Sequence, residues 1–552
     1  MATPQRPTER VPYLDWSLWG VAGEAEPLPE DRRTLIRQAL GAELDGPAVV
    51  PVESVELPPS RLTPEQLLAV GQVVGEQNIS RESAVRLVHC MGKSTPDLLR
   101  ARTGAVDAAP DAVVLPATHD EVEKLLAVCS RHAIAVVPFG GGSSVVGGLD
   151  PLAGSCSAVI SLDLRRLDRL VALDPISQTA TLEAGLRGPE AEALLGAQGF
   201  MLGHYPQSFP YATIGGFAAT RSSGQASAGY GRFDAMVVAL KVATPTGTLE
   251  LGRSPSNAAG PDLRQLFLGS EGVLGVITEV TMHVLPVPAA RRYEAFQLPD
   301  FRSGVEAVRR LKQEDAVPTV LRLSDELETF ITGGQSTAPG AAIEGDEGEL
   351  VDIEAPPLGG CLLLTGFEGS AQKVADTRAR AAAILAECGA TELGPEIGEG
   401  WLEHRFEAPY LRDQLLDAGV LTETFETVTG WSDLIDLYEE LKDAVSESLV
   451  GVGNALVWCH VSHVYATGAS LYFTVAAPLG ENPLERWLAA KRVAGDKIAG
   501  SGASITHHHA VGADHAPWMV DEIGPLGIGV LRAVKRQLDP AGIMNPGKLI
   551  DG

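Results

Sequence analysis

Apolar positions along the chain follow several rhythms, and each predicts a different kind of element. Thr63-Pro64-Glu65 opens a stretch whose apolar face is LLAVGQVVG. Threonine as N-cap and proline at the first helical position predict a helix there. A second helix is expected to open at Thr95-Pro96-Asp97, and residues 1–105 as a whole read as mostly helical. The run Ala112 to Leu115 (AVVL) is short and continuously apolar, as in a buried strand. It is followed by a capped start, Thr118-His119-Asp120-Glu121, for the helix EVEKLLAVCSRH, and then by AVVPFGGG, a strand running into a glycine loop. This strand–helix–strand unit predicts an α/β subdomain.

From about 156 to 290 the rhythm changes to short alternating strands: AVISLDL, TATLEAG, MVVALKVATPTGTLEL and GVITEVTMHVLPV. Thr244-Pro245-Thr246-Gly247 marks a turn between two of them, so a second, strand-rich subdomain is expected here. Mixed strand and helix signals from about 290 to 500 predict a separate α+β domain. They are interrupted by a small, acidic segment, Gly334 to Leu350, read as an exposed loop. The final segment from about 501 holds a loop with three histidines, the helix GIGVLRAVKRQL and the turn Asp539-Pro540-Ala541-Gly542. The expected division is therefore 1–105, 106–290, 291–500 and 501–552, within an α+β fold class.

A chain of 552 residues exceeds what one core organises, which agrees with several domains. The net charge of −28 repels nucleic acid and anionic membrane surfaces. An anionic small substrate would need a local pocket of arginine and histidine. The six cysteines, Cys90, Cys129, Cys156, Cys361, Cys388 and Cys459, form no CxxC pair and read as free thiols of a reducing compartment. MATPQRPTERVPYLDW has no apolar signal core, no stretch is long enough to span a bilayer, and KLIDG is not a peroxisomal address. A cytoplasmic location is expected.

Three motifs could carry cofactor chemistry. In Pro138-Phe139-Gly140-Gly141-Gly142-Ser143-Ser144-Val145, consecutive glycines after a strand let backbone amides converge on a pyrophosphate. A structural glycine turn is the competing reading. The loop lacks the spaced GxGxxG and long helix of a nicotinamide site. Pro206-Gln207-Ser208 through Thr213-Ile214-Gly215-Gly216, with Thr220-Arg221-Ser222-Ser223-Gly224 and Tyr230-Gly231, is dense in small and hydroxyl residues. Gly269-Ser270-Glu271-Gly272-Val273-Leu274-Gly275-Val276-Ile277-Thr278 is the third. Each alone fits ordinary loop chemistry. In this order, over residues 106–290, they resemble the FAD domain of the vanillyl-alcohol oxidase and para-cresol methylhydroxylase family.

That resemblance implies a two-subdomain FAD-binding domain with an α+β cap domain and a helical N-terminal extension. It lays Pro138, Phe139, Gly140, Gly141, Gly142, Ser143, Ser144 and Val145 along the pyrophosphate. It assigns Gln207, Ser208, Thr213, Gly216, Thr220, Arg221, Ser222, Ser223, Glu271, Gly272, Gly275, Val276 and Ile277 to the rest of the cofactor. The glycine loop holds no His or Cys to tether a flavin, so noncovalent FAD is expected.

The second half adds Arg322 (VLRLSDE), Arg412 (PYLRDQLLDAGVLTETFET), Tyr465 (SHVYATGASLYF) and Thr506-His507-His508-His509-Ala510-Val511-Gly512. A solvated loop or an adventitious metal site is the bland reading of the histidines, and a surface ion pair that of each arginine. In this order, with GHYPQS and the ETFET stretch, the pieces resemble the alkylglycerone-phosphate synthases of ether-lipid metabolism. By that resemblance flavin N5 forms an adduct with the dihydroxyacetone-phosphate carbon, a fatty acid leaves, and a fatty alcohol replaces it without net redox change. The resemblance implies an anionic lipid or small-molecule substrate, no metal and no nucleic acid; a homodimer with peripheral membrane contact is the expected assembly.

Arg412 and Arg322 suit the substrate phosphate, Tyr465 with His508 or His509 suits proton transfer, and the loop His507 to His509 could donate to the departing carboxylate. Three departures bear on the substrate: Thr424 stands for the family's serine, His460 for a basic residue, and Ala513-Asp514-His515 for a basic pair. The alternative is a flavin-dependent 2-hydroxyacid oxidoreductase of the D-lactate or glycolate type. Such enzymes carry GDGNxH and EHG-type sequences where this chain has Val464-Tyr465-Ala466-Thr467-Gly468 and His507-His508-His509-Ala510.

Overall fold

The continuously apolar runs fold as expected of strands buried on both faces. In the structure, a computed structural model, Ala112–Val114, Ala158–Asp163 and Ile134–Phe139 lie parallel in a four-stranded sheet, with Ile79–Ser80 antiparallel at its edge. Residues 5–550 are described, apart from 22, 24–26, 45, 47, 48, 334–358 and 452; the acidic stretch Gly334–Leu350 lies outside the described residues. Helices Pro64–Val74 and His119–Arg131 contribute to this sheet's core. Thr63 caps the first through a full capping box and Thr118 caps the second. The rhythm of the sequence groups Ala158–Asp163 with the later strands. Its residues are buried on both faces, and that places it in the first sheet instead.

The second sheet is antiparallel, in the order Leu170–Asp174, Thr179–Glu183, Val276–His283, Val237–Thr244, Gly247–Leu251. Its hairpin closes at the anticipated turn, where Thr244 pairs with Gly247. The third sheet is a seven-stranded antiparallel one: Thr391–Gly394, Ala290–Leu298, Cys361–Gly369, Val320–Ser324, Leu456–Val461, Gly468–Pro478, Val420–Gly430. One face forms a core with helices Phe301–Gln313, Ala371–Glu387, Leu434–Leu449 and Pro483–Ser501. Strand periodicity then sends alternate residues to the other face. Leu323, Leu363, Cys459 and Phe473 enter the core, while Arg322, Leu364, His460 and Tyr472 line a cavity.

The N-terminal region is less helical than its sequence reads. Its described residues form four α-helices, Glu30–Leu40, Pro64–Val74, Ser83–Val88 and Thr95–Arg102, joined by extended stretches and two short 3-10 turns. Those stretches are fixed by contacts distant in sequence, such as the Trp19 amide to Asp413 and the Val11 amide to Glu190. The C-terminal helix begins before the expected GIGVLRAVKRQL: it spans Met519–Leu538, with a kink at Gly524 ahead of Pro525. Beyond it, Met544 bridges to Val136 and Asn545 donates to the carbonyls of Gly148 and Glu271, closing the chain onto the first sheet. All six cysteines are free, and Cys90, Cys129, Cys361 and Cys459 are buried. Among the described residues no helix is long and apolar enough to cross a membrane.

Candidate active site

A cavity of about 1370 Å³ is lined by residues from the four-, five- and seven-stranded sheets. Every position assigned to the cofactor lines it except one. Arg221 turns away: its guanidinium donates to the Leu268 carbonyl (2.9 Å) and to Gln265 (2.7 Å).

The glycine loop is built for close approach. A Cβ on Gly140 would sit 2.4 Å from the Thr213 hydroxyl, and one on Gly141 2.4 Å from the Tyr211 carbonyl oxygen. Gly142, Gly272 and Gly275 all have positive φ, and a Cβ on Gly272 would meet Pro138 at 2.7 Å. The Gln207 side-chain amide nitrogen is buried in this wall without a partner, a donor waiting for a polar ligand. A glycine-walled cleft with an unpartnered buried donor fits a dinucleotide cofactor such as FAD. Glu271 joins the cradle to the histidine loop: its carboxylate accepts from the amides of Val511 (2.9 Å) and Gly512 (2.8 Å). Burial pushes its pKa up to about 7 against those two hydrogen bonds.

The same cavity holds two guanidinium groups. Arg322 donates to Glu328 at 2.7 Å, and Glu328 also engages His460 Nδ1 at 3.1 Å. Burial favours the neutral acid of Glu328, but Arg322 and His460 hold it down to about 2. Arg412, on helix Ala408–Asp417, donates to the Lys93 carbonyl at 2.5 Å, while its Nε is buried without a partner. Thr424 accepts from the Tyr472 hydroxyl at 3.2 Å. Burial lifts that tyrosine to about 12.

The triple histidine is organised by Glu426, a buried residue two positions after Thr424 on the same strand. Its carboxylate accepts from the Thr506 hydroxyl (2.5 Å) and from the amides of His507, His508 and His509 at 2.7–3.0 Å. Burial would raise its pKa; the imidazoles of His508, His509 and His507 and the Thr506 hydroxyl outweigh that and keep it well below the usual carboxylate range.

His508 and His509 line the cavity, whereas Tyr465 and His507 do not. The Tyr465 hydroxyl lies 2.5 Å from His507 Nε2, and His507 Nδ1 lies 3.1 Å from His508 Nδ1. Tyr465 is thus linked to His508, which faces the cavity, through His507. Burial lowers the pKa of all three histidines, His509 to about 3, so they are neutral near pH 7. His463 stacks on His507 with centroids 4.9 Å apart and is neutral for the same reason.

Sequence reading missed Glu328, Glu426, His463 and Tyr472 as parts of the site. For three of them a signal existed: Glu426 shares the two-residue period of Thr424, Tyr472 follows Tyr465 on the adjoining segment, and His463 lies two residues before it. Glu328 comes from helix Glu326–Gly333 and gave none.

The family model described as the FAD binding domain matches residues 110–252, and that of FAD linked oxidases, C-terminal domain, matches residues 287–549. The chain is 35% identical to an alkyldihydroxyacetonephosphate synthase of Dictyostelium discoideum over 92% of its length and 84% of that protein's. It is 34% identical to the protein of that name from Trypanosoma brucei brucei, over 91% of this chain and 84% of the other. A solved structure of an alkyldihydroxyacetonephosphate synthase superposes with a TM-score of 0.82 at 30% identity, covering 97% of this chain and 99% of that one.

Proposed function

The chain belongs to the alkyldihydroxyacetonephosphate synthase family, and from that premise we infer that it is an FAD-dependent enzyme exchanging the acyl group of an acyl-dihydroxyacetone phosphate for a fatty alcohol. One observation carries this reading: the cavity that contains the glycine cradle also contains two guanidinium groups and the cavity end of the Tyr465–His507–His508 chain. When bound, FAD supplies a ring that can accept and return an electron pair, which serves an exchange with no net redox change.

The protein's own groups divide the remaining work. Pro138–Val145 and Gln207 hold the noncovalent cofactor, the glycines by leaving room and the glutamine by its unpartnered amide. Arg412, with its free buried Nε, receives the substrate phosphate; Arg322, anchored by Glu328, adds a second cation. Leu362, Leu364, Ile397, Trp401, Leu411 and Trp458 give the cavity an apolar wall for a hydrocarbon chain. His508 or His509, neutral and facing the cavity, takes a proton from the substrate carbon, and His507 and Tyr465 behind it redistribute that proton. Either imidazole then donates to the departing carboxylate. The exposed Val520, Leu526 and Val530 on helix Met519–Leu538 support a peripheral contact with the lipid surface that would supply such a substrate.

The test is to incubate the FAD-loaded protein with palmitoyl-dihydroxyacetone phosphate and labelled hexadecanol, following both product and flavin absorbance. Labelled ether without net bleaching is expected. Absence of ether, with bleaching by D-lactate or glycolate, would overturn the reading in favour of a dehydrogenase.

A further inference from the structure

His463, His507 and His508 each offer a ring nitrogen, and the three nitrogens lie within 4.8 Å of one another. His507 Nδ1 and His508 Nδ1 are 3.1 Å apart. Two nitrogens bound at about 2.0–2.1 Å to one tetrahedral ion stand roughly 3.3 Å apart, so one edge of a coordination polyhedron is already formed. Two neutral imidazoles that meet through the same nitrogen share at most one hydrogen bond. A cation would use both lone pairs.

The remaining nitrogens support the same assignment. His463 Nδ1 is 3.1 Å from the Ser223 hydroxyl, and His507 Nε2 is 2.5 Å from the Tyr465 hydroxyl. Outer partners of this kind fix the tautomer of metal-binding histidines and leave the opposite nitrogen as ligand. The donor set is then His463 Nε2, His507 Nδ1 and His508 Nδ1. Among nearby charges, the Glu426 carboxylate, 3.6 Å from His508 Nδ1, favours a cation; the Arg232 guanidinium opposes it. Closing the third ligand requires His463 to approach by up to about 1.5 Å from the widest separation.

We propose that His463, His507 and His508 form a binding site for a borderline-soft divalent cation, zinc above all, whose occupancy is exclusive with proton transfer through His507 and His508. An all-nitrogen set of three suits zinc and leaves a fourth position for water, on the side where His463 and His508 line the cavity. The resemblance read from the sequence implies no metal, and this site departs from it. The exclusivity rests on the proton path proposed above; the binding does not.

The experiment uses the full-length, FAD-loaded protein stripped of metal. Zinc is added against a competing chelator, and cobalt is added separately as a spectroscopic probe on the long-wavelength side of the flavin bands. The expected result is one zinc per chain, tetrahedral cobalt absorption, and a loss of zinc affinity on the order of 100-fold or more in His463→Gln. His508→Gln serves in the same assay if His463→Gln does not fold. A wild-type protein that takes up no stoichiometric zinc overturns the site, as does a glutamine variant that binds it equally well. Zinc is also expected to stop turnover reversibly, with recovery on chelation; full turnover with zinc bound overturns the exclusivity. Because occupancy is read without turnover, a protein that binds zinc but makes no ether in its metal-free form counts against the proposed function and not against this site.

Discussion

The Tyr465 hydroxyl approaches His507 Nε2 to 2.5 Å, yet Tyr465 stands outside the cavity that His508 and His509 line. The tyrosine thus acts through the histidine. Tyr465→Phe should keep FAD bound and lower kcat by about 100-fold or more, with KM little changed. Stopped-flow turnover together with the flavin spectrum checks this; wild-type kcat would remove Tyr465 from the proton path.

Glu426 gathers one hydroxyl and three amide donors from the histidine loop. Glu426→Gln turns an acceptor carboxylate into a group that also presents an NH2 to those donors. The expected cost is about 3 kcal/mol of stability, with a parallel loss of kcat as the imidazoles lose register. Denaturant unfolding and steady-state kinetics on the same preparation test it, and an unchanged midpoint would show that the loop is held by other contacts.

The two arginines should separate on substitution. Arg412→Ala is expected to raise the substrate KM by roughly 10- to 150-fold, equivalent to about 1.5–3 kcal/mol, and to cost about 1 kcal/mol of stability through the lost bond to the Lys93 carbonyl. Arg322→Ala also takes the guanidinium away from the buried Glu328 carboxylate, so destabilisation of about 3–5 kcal/mol should accompany its KM effect. Equal unfolding midpoints for the two variants would contradict this distinction.

Glu271 predicts a pH dependence of opposite sign to ordinary acid denaturation. Burial raises its pKa to about 7 from the ordinary 4.5, so across that window the folded protein holds a proton that the unfolded chain has released. Stability therefore falls as pH rises from 4.5 through 7, by on the order of 3 kcal/mol in full. Chemical unfolding of wild type and Glu271→Gln across this range should show the slope in the former and a flatter profile in the latter.

Gly141→Ala should abolish the cradle. Its Cβ would lie 2.4 Å from the Tyr211 carbonyl oxygen, a backbone atom that cannot swing aside. The variant is expected to purify without flavin; stoichiometric FAD in it would refute the close-approach argument.

Much of this site was legible one segment at a time. The glycine loop, the hydroxyl-rich segments, Arg322, Arg412 and the triple histidine are all local signals, and the cavity collects nearly all of them. Arg221 was misread because its neighbours in sequence face the cavity while its own side chain, on a backbone with φ of 50°, is directed to Leu268 and Gln265. The N-terminal region was overestimated as helix because its extended stretches carry no periodic signal and are fixed only by contacts such as Trp19 with Asp413.

The sequence by itself determined the elements, their order, the glycine positions where a side chain cannot fit, and the residue types available for chemistry. Each of these depends on interactions within a few residues: capping, strand alternation, the absence of a Cβ. Only the tertiary structure decided which face of the seven-stranded sheet meets the cofactor cradle, that Glu426 holds the histidine loop, and that Tyr465 stands behind His507. Glu426 and His507 are 81 residues apart and Glu271 and Gly512 are 241 apart. Pairings at that separation arise from how the packed sheets and the returning C-terminal segment bring their surfaces together, and no local pattern encodes them.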